Sequence, residues 1–381
     1  MKLPDNKFFP NHILRSELLR SASVLISGTV LAQLISILLR PLLARFFSTE
    51  SFGIYSVYVS LVGMIMILSS LRYDDTIVLP KSDKESINLL GLALILNLLF
   101  NSIIFLVVIL FGKTIISFLN LPENFPVSIL YIIPLGAFLF GTYQSLNSWL
   151  IRKRRYKAVS INKLVRRSSE GVAQLSFAWL KSFNGLIFSD ICGQTFNVST
   201  VAYQARKNGL NLRLISITKL KYVFHKYSEF PKYNLIPAFM STCSYSLPPI
   251  FITKFFSPES AGYFDFSKLL LSLPLALIAS AFSSVLLQRI SERFNRKESF
   301  LAELKPVFMT VGLISVVEII LIILFGEGIF KIVFGKQYSM SGTISKVMVW
   351  SFASNFIIAT FSSIFVSMRR IKTYSIWQSV Y

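Results

Sequence analysis

Long apolar runs separated by short polar stretches dominate this chain. One run, LALILNLLFNSIIFLVVILF at residues 92–111, has the roughly 20 apolar residues that a helix needs to cross a bilayer core. Breaks at proline, glycine and charged residues delimit ten such spans. The predicted spans are 21–47, 52–72, 86–112, 127–151, 158–180, 184–203, 234–256, 262–288, 301–325 and 343–367.

The spans are predicted to be α-helices. Unpaired backbone N–H and C=O groups are too costly in lipid, so only helices and closed barrels cross a membrane. The apolar runs are about twice as long as the strands of a membrane barrel. The predicted fold class is therefore all-α, a polytopic membrane protein with ten complete transmembrane helices.

Lysine and arginine are concentrated in alternate polar connections. With the N-terminus inside, the connections on that side contain 26 Lys and Arg residues, and those on the opposite side contain four. Cytoplasmic loops carry this excess in membrane proteins, so the N-terminus and, after ten spans, the C-terminus are predicted to be cytoplasmic. Trp149, Trp179 and Tyr203 then lie near span ends, where interfacial aromatic residues are expected.

The composition also excludes several classes of protein. With 53% hydrophobic and 15% charged residues, the chain has too little polar surface to cover a water-soluble globule of 381 residues. The net charge of +21 lies between apolar spans, so no nucleic-acid partner is expected. Cys192 and Cys243 lie inside spans. His12 and His225 have no ligand partner nearby in the sequence, so no metal site and no cofactor are expected.

A short motif occurs twice, 209 residues apart. FFSTESFGIY at 46–55 matches FFSPESAGYF at 255–264, and each copy joins the first two spans of a block. The second block begins six spans after the first, and an even displacement preserves orientation. The blocks are therefore predicted to be parallel repeats about an axis along the membrane normal, with Gly53 equivalent to Gly262.

The repeat also predicts the domain organisation. The predicted parts are a cytoplasmic N-terminus (1–20), a six-helix N-terminal lobe (21–203), a basic cytoplasmic linker (204–233) and a C-terminal lobe (234–381). Six spans in the first block predict six in the second, but only four complete spans follow residue 233. The last nine residues, TYSIWQSVY, look like the start of an eleventh span. We therefore expect a chain that is truncated at its C-terminus relative to a twelve-helix, two-lobe plan.

Three stretches have a distinctive sequence. They are LLRPLLARFFSTESFGIYSVYVSL (38–61), LRYDDTIVLPKSDKESINLLGLAL (71–94) and YNLIPAFMSTCSYSLPPIFITKFFSPESAGYF (233–264). Together they resemble the bacterial polysaccharide repeat-unit flippases, which include the O-antigen and capsule transporters. The resemblance implies the fold of the multidrug, oligosaccharidyl-lipid and polysaccharide exporter superfamily, two six-helix lobes around a central cavity, and a transporter rather than an enzyme.

The resemblance also implies a substrate and a location. The expected function is to flip an oligosaccharide repeat unit on polyprenyl diphosphate across the bacterial inner membrane, for O-antigen lipopolysaccharide, capsule or exopolysaccharide synthesis. The expected partners are this glycolipid and membrane lipids. A polysaccharide polymerase and chain-length proteins are further candidate partners.

Charged residues inside spans are the candidate sites, because ionisable groups in lipid face a cavity or a partner. Arg166, Arg167 and Glu170 lie near mid-bilayer in the fifth span, at spacings that place them on one face. Arg166 and Arg167 are the first candidates for substrate binding, because guanidinium groups bind phosphate oxygens bidentately. The alternative is a structural group in which Glu170 neutralises the arginines.

Other charged residues are weaker candidates. Arg40, toward the outer end of the first span, and Lys268, in the eighth, are further candidates for substrate binding. Snorkelling of Arg40 to the outer headgroups is the alternative. The candidates for proton or cation coupling are Glu170, Asp190, Asp265 and Glu318.

Three competing functions remain open at this point. A membrane enzyme of polyprenyl-phosphate sugar metabolism could use Asp74 and Asp75 as a metal-diphosphate site, although a solvated inner loop explains this pair more simply. A multidrug exporter of the same superfamily would have a more acidic cavity than Arg166 and Arg167 suggest. A peptidoglycan-precursor flippase has a similar architecture but usually a longer chain with fourteen spans.

Overall fold

The computed structural model describes residues 11–118, 127–295, 299–362, 364 and 368. Every regular element within these residues is helical. The α-helices are α1 (Asn11–Leu43), α2 (Thr49–Ser69), α3 (Asp83–Phe118), α4 (Val127–Leu130), α5 (Ile132–Arg152), α6 (Tyr156–Trp179), α7 (Gly185–Lys207), α8 (Ile217–Lys226), α9 (Glu229–Phe255), α10 (Pro258–Asn295), α11 (Leu301–Val333) and α12 (Ser339–Phe361). Short 3-10 helices lie at Tyr73–Val78, Leu212–Leu214 and Lys336–Tyr338.

The predicted all-α fold class is confirmed. Each of the ten predicted spans overlaps one of the ten long helices, whereas α4 and α8 are too short to cross a bilayer. Among the described residues, five helical segments are long and apolar enough to do so by length and composition alone: Thr49–Ser69, Asp83–Phe118, Glu229–Phe255, Glu303–Val333 and Lys336–Phe361. That all ten long helices cross the membrane stays a prediction, and the predicted eleventh span lies outside the described residues.

The first of two compact units comprises residues 1–39, 61–117 and 123–243. Within it α7 packs against both α5 and α6. Its core surrounds Trp149, whose side chain is 0% exposed and packs among buried residues that include Tyr73, Leu90 and Val201. Trp149 lies near the end of α5, and residues from several helices cover its indole; its predicted position at the level of the membrane interface stays a prediction.

The second unit comprises residues 40–60, 118–122 and 244–381. Within it α12 packs against α10 and α11. Aromatic rings fill its centre: the Phe266 ring lies 4.7 Å from that of Phe52, 5.0 Å from that of Phe334 and 4.2 Å from that of Tyr338. All four side chains are buried, so this cluster contributes to the unit mainly through apolar burial.

The repeated motif produces the same local structure twice. In the first copy the Ser48 hydroxyl accepts a hydrogen bond from the backbone N–H of Ser51 at 3.1 Å. In the second copy Ser257 accepts one from the N–H of Ser260, also at 3.1 Å. Each serine thereby caps the helix that follows, α2 or α10, by satisfying one of its unpaired N–H groups.

The two copies also pack against each other through glycine. A Cβ atom added at Gly53 would lie 1.7 Å from the carbonyl oxygen of Pro258, and one added at Gly262 would lie 2.0 Å from that of Thr49. The residue pairs 49 and 258, and 53 and 262, are equivalent in the repeat, so the contact is reciprocal. The motifs therefore lie together, related by a local two-fold arrangement, as expected if both are on one side of the membrane.

The predicted division into lobes at 21–203 and 234–381 stays a prediction. Residues 204–233, the predicted linker, pack within the first unit. Helix α9, which follows the linker, contributes its first part to the first unit and its last part to the second.

Candidate functional site

A polar face of α6 forms the candidate site in the first unit. Residues 163, 166, 167, 170 and 174 of this helix are Lys, Arg, Arg, Glu and Gln, and their spacing of three and four places them on one side. Gly193 allows α7 to approach this face closely, because a Cβ at that position would lie 2.7 Å from the Cβ of Glu170.

Two ion pairs connect the polar groups. Arg167 Nη1 lies 2.9 Å from Glu170 Oε2, and Arg166 Nη2 lies 3.4 Å from Asp190 Oδ1 on α7. Glu170 and Asp190 are each 3% exposed, so the desolvation of both carboxylates is offset by the guanidinium groups. The predicted contact of Arg167 with Glu170 is confirmed. Arg166 reaches across to Asp190, a partner that the spacing on α6 does not reveal.

A glutamine one helical turn after each carboxylate donates a hydrogen bond to it. Gln174 Nε2 donates to Glu170 Oε1 at 3.3 Å, and Gln194 Nε2 donates to Asp190 Oδ2 at 2.7 Å. Both hydrogen bonds join residues four apart on one helix. The carboxylates are thus held in fixed orientations, and their positions define where the arginines can reach.

Lys163 and Phe140 belong to the site but were not predicted. The Lys163 ammonium donates to Thr29 Oγ1 at 2.7 Å, and the Arg166 guanidinium lies 4.9 Å from the centre of the Phe140 ring. The spacing of Lys163 from Arg166 and Arg167 could have identified Lys163 as a member of the site. The Phe140 contact could not have been identified in this way, because it depends on packing between helices. Formal charges of three cations and two carboxylates leave the site at +1 rather than strongly positive.

The arginines keep some accessible surface. The Arg167 side chain is 41% exposed and that of Arg166 is 21% exposed. The buried Nε of Arg166 has no hydrogen-bond partner among the described residues. The arrangement therefore offers guanidinium donors to an anionic ligand while the buried carboxylates fix their positions.

Arg40 and Asp265 form a separate polar contact in the second unit. Arg40 Nη1 lies 3.2 Å from Asp265 Oδ2. The guanidinium also lies 5.0 Å from the ring centre of Phe52 and 5.5 Å from that of Phe266. Cation–π contacts of this geometry stabilise a desolvated arginine. The structure thus shows Arg40 in a protein contact, and its predicted role in substrate binding stays a prediction.

Lys268 contacts a backbone carbonyl in the second unit. Its ammonium donates to the carbonyl oxygen of Tyr245 on α9 at 3.0 Å. In a helix this carbonyl would accept from residue 248 or 249, but both are proline and have no N–H. Lys268 therefore supplies the donor that Pro248 and Pro249 cannot. The structure shows a positioning contact, and a role in substrate binding stays a prediction.

The remaining predicted coupling residue is Glu318 on α11. Its Oε2 atom is buried without a hydrogen-bond partner among the described residues. A buried carboxyl oxygen of this kind suits a protonated group or a transient cation. The coupling role of Glu318, and equally that of Glu170, Asp190 and Asp265, stays a prediction.

Asp74 and Asp75 have structural partners. Asp74 is buried and accepts a hydrogen bond from the Ser70 hydroxyl. Asp75 pairs with Arg72 and accepts from Asn234 Nδ2 at 3.2 Å. Burial raises the pKa of Asp75. The negative charge of Asp74 raises this pKa further, and the positive charge of Arg72 lowers it. The interpretation of both residues as a solvated loop is therefore wrong for Asp74, which is 3% exposed.

Residues 42–343 match the protein family described as Polysaccharide biosynthesis protein. Because the match covers most of the sequence, the chain belongs to this family. No curated protein sequence matches it significantly.

Solved transporter structures share its fold. The lipid II flippase MurJ in an inward closed conformation is 15% identical, with a TM-score of 0.70, over 93% of this chain and 78% of that one. An inward-facing multidrug resistance MATE family transporter of the MOP superfamily is 14% identical, with a TM-score of 0.65, over 91% and 83%. A crystal structure of MATE in the bent conformation is 14% identical, with a TM-score of 0.55, over 96% and 84%.

These findings define the general class. The chain is a multi-pass membrane protein of polysaccharide biosynthesis with the fold of MOP-superfamily flippases and exporters. The structures to which it is similar are described as transporters and a flippase.

Proposed function

We propose that this chain flips a polyprenyl-diphosphate-linked oligosaccharide across the bacterial inner membrane, for O-antigen, capsule or exopolysaccharide synthesis. The family match supports a role in polysaccharide biosynthesis. The observation that carries the proposal is the set of three cations, Lys163, Arg166 and Arg167, on one face near the middle of α6. Such a cluster suits the diphosphate of a glycolipid, because it offers several donors to phosphate oxygens.

The two buried carboxylates compensate the charge of the arginines. Arg166 pairs with Asp190 and Arg167 with Glu170, so neither arginine is an uncompensated buried charge. A diphosphate would accept from guanidinium N–H groups on the exposed part of each side chain, which is 41% of Arg167 and 21% of Arg166. The proposed mechanism therefore needs no large net positive charge, because exposed guanidinium groups supply the donors.

The double variant Arg166→Gln/Arg167→Gln tests the proposal. We expect surface glycan per unit of inserted protein to be lost in a strain that lacks its own copy of the gene. The glycan is normalised to protein in membranes, because the variant also removes the guanidinium partners of Glu170 and Asp190. Two charge-assisted contacts of roughly 1.5–3 kcal/mol each would be removed. Arg166→Lys/Arg167→Lys should restore part of the glycan, because it returns charge without bidentate geometry. The measurements are glycan on gels and protein in membranes.

Arg154→Gln/Arg155→Gln is the matched control. These two adjacent arginines are exposed and lie just before α6, so the substitution removes the same charge outside the site. Glycan should stay normal in this control. Normal glycan in the Arg166→Gln/Arg167→Gln variant would contradict the proposed role of the site and leave these arginines as structural partners of Glu170 and Asp190.

We further propose that the N-terminus, and the basic connections on the same side of the membrane, are cytoplasmic. The observation is the excess of Lys and Arg in alternate connections. Reporters fused after Arg155 and after Lys221 should give a cytoplasmic signal, and one fused after Tyr338 a periplasmic signal. A periplasmic signal at Lys221 would overturn this orientation.

A multidrug exporter is the second candidate function. Glu170 and Asp190 are two buried carboxylates, which are the kind of group that a cationic drug requires. If Glu170→Gln/Asp190→Asn raised drug sensitivity while Arg166→Gln/Arg167→Gln left glycan unchanged, this function would replace the first.

A further inference from the structure

We propose that α8 and the turn before it form a docking surface for the headgroups of anionic phospholipids. This linker surface consists of residues 212–226. The inference does not depend on which substrate the protein transports. It rests on how the segment is anchored, which side chains it exposes, what charge it carries and where it lies relative to α9.

The linker surface is fixed to the first unit at its start and middle. The Asn88 side chain donates to the carbonyl of Leu214 at 3.3 Å and accepts from the N–H of Ser216 at 3.0 Å. Val223 is buried in the core around Trp149. The Tyr73 hydroxyl donates to the carbonyl of Phe224 at 2.8 Å. The segment is therefore a positioned element with a defined outer face.

A second anchor holds the end of α8. The Lys226 ammonium lies 2.5 Å from Glu85 Oε1, and the Tyr227 hydroxyl donates to the same oxygen at 3.2 Å. Hydrogen bonding to Glu85 raises the pKa of Lys226. Lys226 is thus occupied by a protein partner, whereas Lys219 and Lys221 lie on the exposed part of the helix.

The outer face combines large apolar side chains with cations. Ile217 is 76% exposed, and Leu212 and Tyr222 are also exposed. Lys221 is exposed four residues after Ile217, and Lys219 is exposed three residues before Tyr222, so each of these two apolar side chains has a cation as its neighbour on the helix. Exposed apolar groups of this size on a short basic helix are typical of segments that lie in a membrane interface.

The position of α8 brings this face close to lipid. Helix α8 ends at Lys226, and α9 begins at Glu229. Helix α9 is one of the helices apolar enough to cross a membrane. Even fully extended, at about 3.6 Å per residue, three residues span only about 11 Å, so the end of α8 lies close to the start of α9.

The positive charge of residues 204–233 favours lipids with anionic headgroups. Residues 204–233 contain seven Lys and Arg residues and one acidic residue, Glu229. Basic segments next to a membrane-crossing helix are attracted to anionic headgroups within about a Debye length. Phosphatidylglycerol is a suitable probe, because its headgroup is anionic, whereas that of phosphatidylcholine has no net charge.

The test measures the contact of Ile217 with headgroups. The full chain carries Cys192→Ser, Cys243→Ser and Ile217→Cys with a bimane label, in nanodiscs of phosphatidylcholine alone or with one quarter phosphatidylglycerol. Both contain the same trace of lipid with a headgroup nitroxide. We expect at least two-fold stronger quenching with phosphatidylglycerol, and loss of this preference in Lys219→Gln/Lys221→Gln.

The charge-matched control is Lys113→Gln/Lys331→Gln. Both lysines are exposed and lie outside the linker surface, so the preference for phosphatidylglycerol should persist. Equal quenching in the two lipids would overturn the proposal, and so would an absence of quenching in both. If only added farnesyl diphosphate altered the bimane signal, the cations would serve a prenyl diphosphate, and the lipid proposal would be wrong.

Hydrogen exchange provides a second measurement on the unsubstituted chain. Amides of residues 211–222 should exchange at least two-fold more slowly in nanodiscs with phosphatidylglycerol than in phosphatidylcholine. This result does not depend on folding of the labelled variant with its single cysteine. Equal exchange in the two lipids would overturn the proposal.

Discussion

Replacement of Gly53 by alanine is expected to destabilise the protein strongly. The added Cβ would lie 1.7 Å from the carbonyl oxygen of Pro258, and no rotamer change can relieve a clash between a Cβ and a backbone atom. The two motifs must then separate, which costs about 1–3 kcal/mol. Gly262→Ala should have a similar effect through Thr49. A fall in the apparent Tm of the purified protein in detergent, followed by far-UV circular dichroism, measures this.

Gly312→Ala is the matched control in the same unit. This glycine lies in α11, and a Cβ there would have no other atom within 4 Å. Because alanine is a better helix former than glycine, the Tm should be unchanged or slightly higher, by a free energy of up to about 1 kcal/mol. Equal losses of Tm in the Gly53 and Gly312 variants would show that the reciprocal contact is not the cause.

Truncation of Trp149 to alanine is the second large expected effect. The indole is 0% exposed in the core of the first unit, and its removal leaves a cavity. The expected loss is about 3–5 kcal/mol in the free energy of unfolding. The Lys153 ammonium, 4.9 Å from the ring centre, also loses its aromatic partner. The same melting experiment measures the effect.

Two further variants separate the causes. Trp179 is 85% exposed, so Trp179→Ala should change the Tm little. Trp149 Nε1 is buried without a hydrogen-bond partner among the described residues, so Trp149→Phe keeps much of the packing and removes an unsatisfied donor. It should lose much less stability than Trp149→Ala. Equal losses for the alanine variants of Trp149 and Trp179 would contradict a packing role for Trp149.

The long helices could be predicted because the requirement for paired backbone groups in lipid acts on every residue of a span. The repeat predicted that the two motifs are equivalent. Ser48 and Ser257 cap their helices in the same way, because a cap depends only on a few neighbouring residues. The complete burial of the Trp149 side chain could not be predicted in this way. A tryptophan near a span end suits both an interface and a core, and only the neighbouring helices decide between them.

The candidate site was predictable along one helix but not between helices. The spacing of Arg167 and Glu170 predicted their pairing, because residues three apart on a helix are neighbours. The pairing of Arg166 with Asp190 depends on the register of α6 against α7, which spacing within a single span does not encode. The same limit applies to Lys268, whose carbonyl partner lies on a different helix.

The contact of Lys268 with Tyr245 has a mechanical consequence. Consecutive prolines usually mark a place where a membrane helix can bend, because two backbone hydrogen bonds are missing. At Pro248 and Pro249 one of the two acceptors, the Tyr245 carbonyl, accepts a hydrogen bond from a side chain of α10. Bending of α9 at this point therefore requires either that Lys268 release the carbonyl or that α10 move with it. The flexibility of one helix is thus conditional on the position of its neighbour.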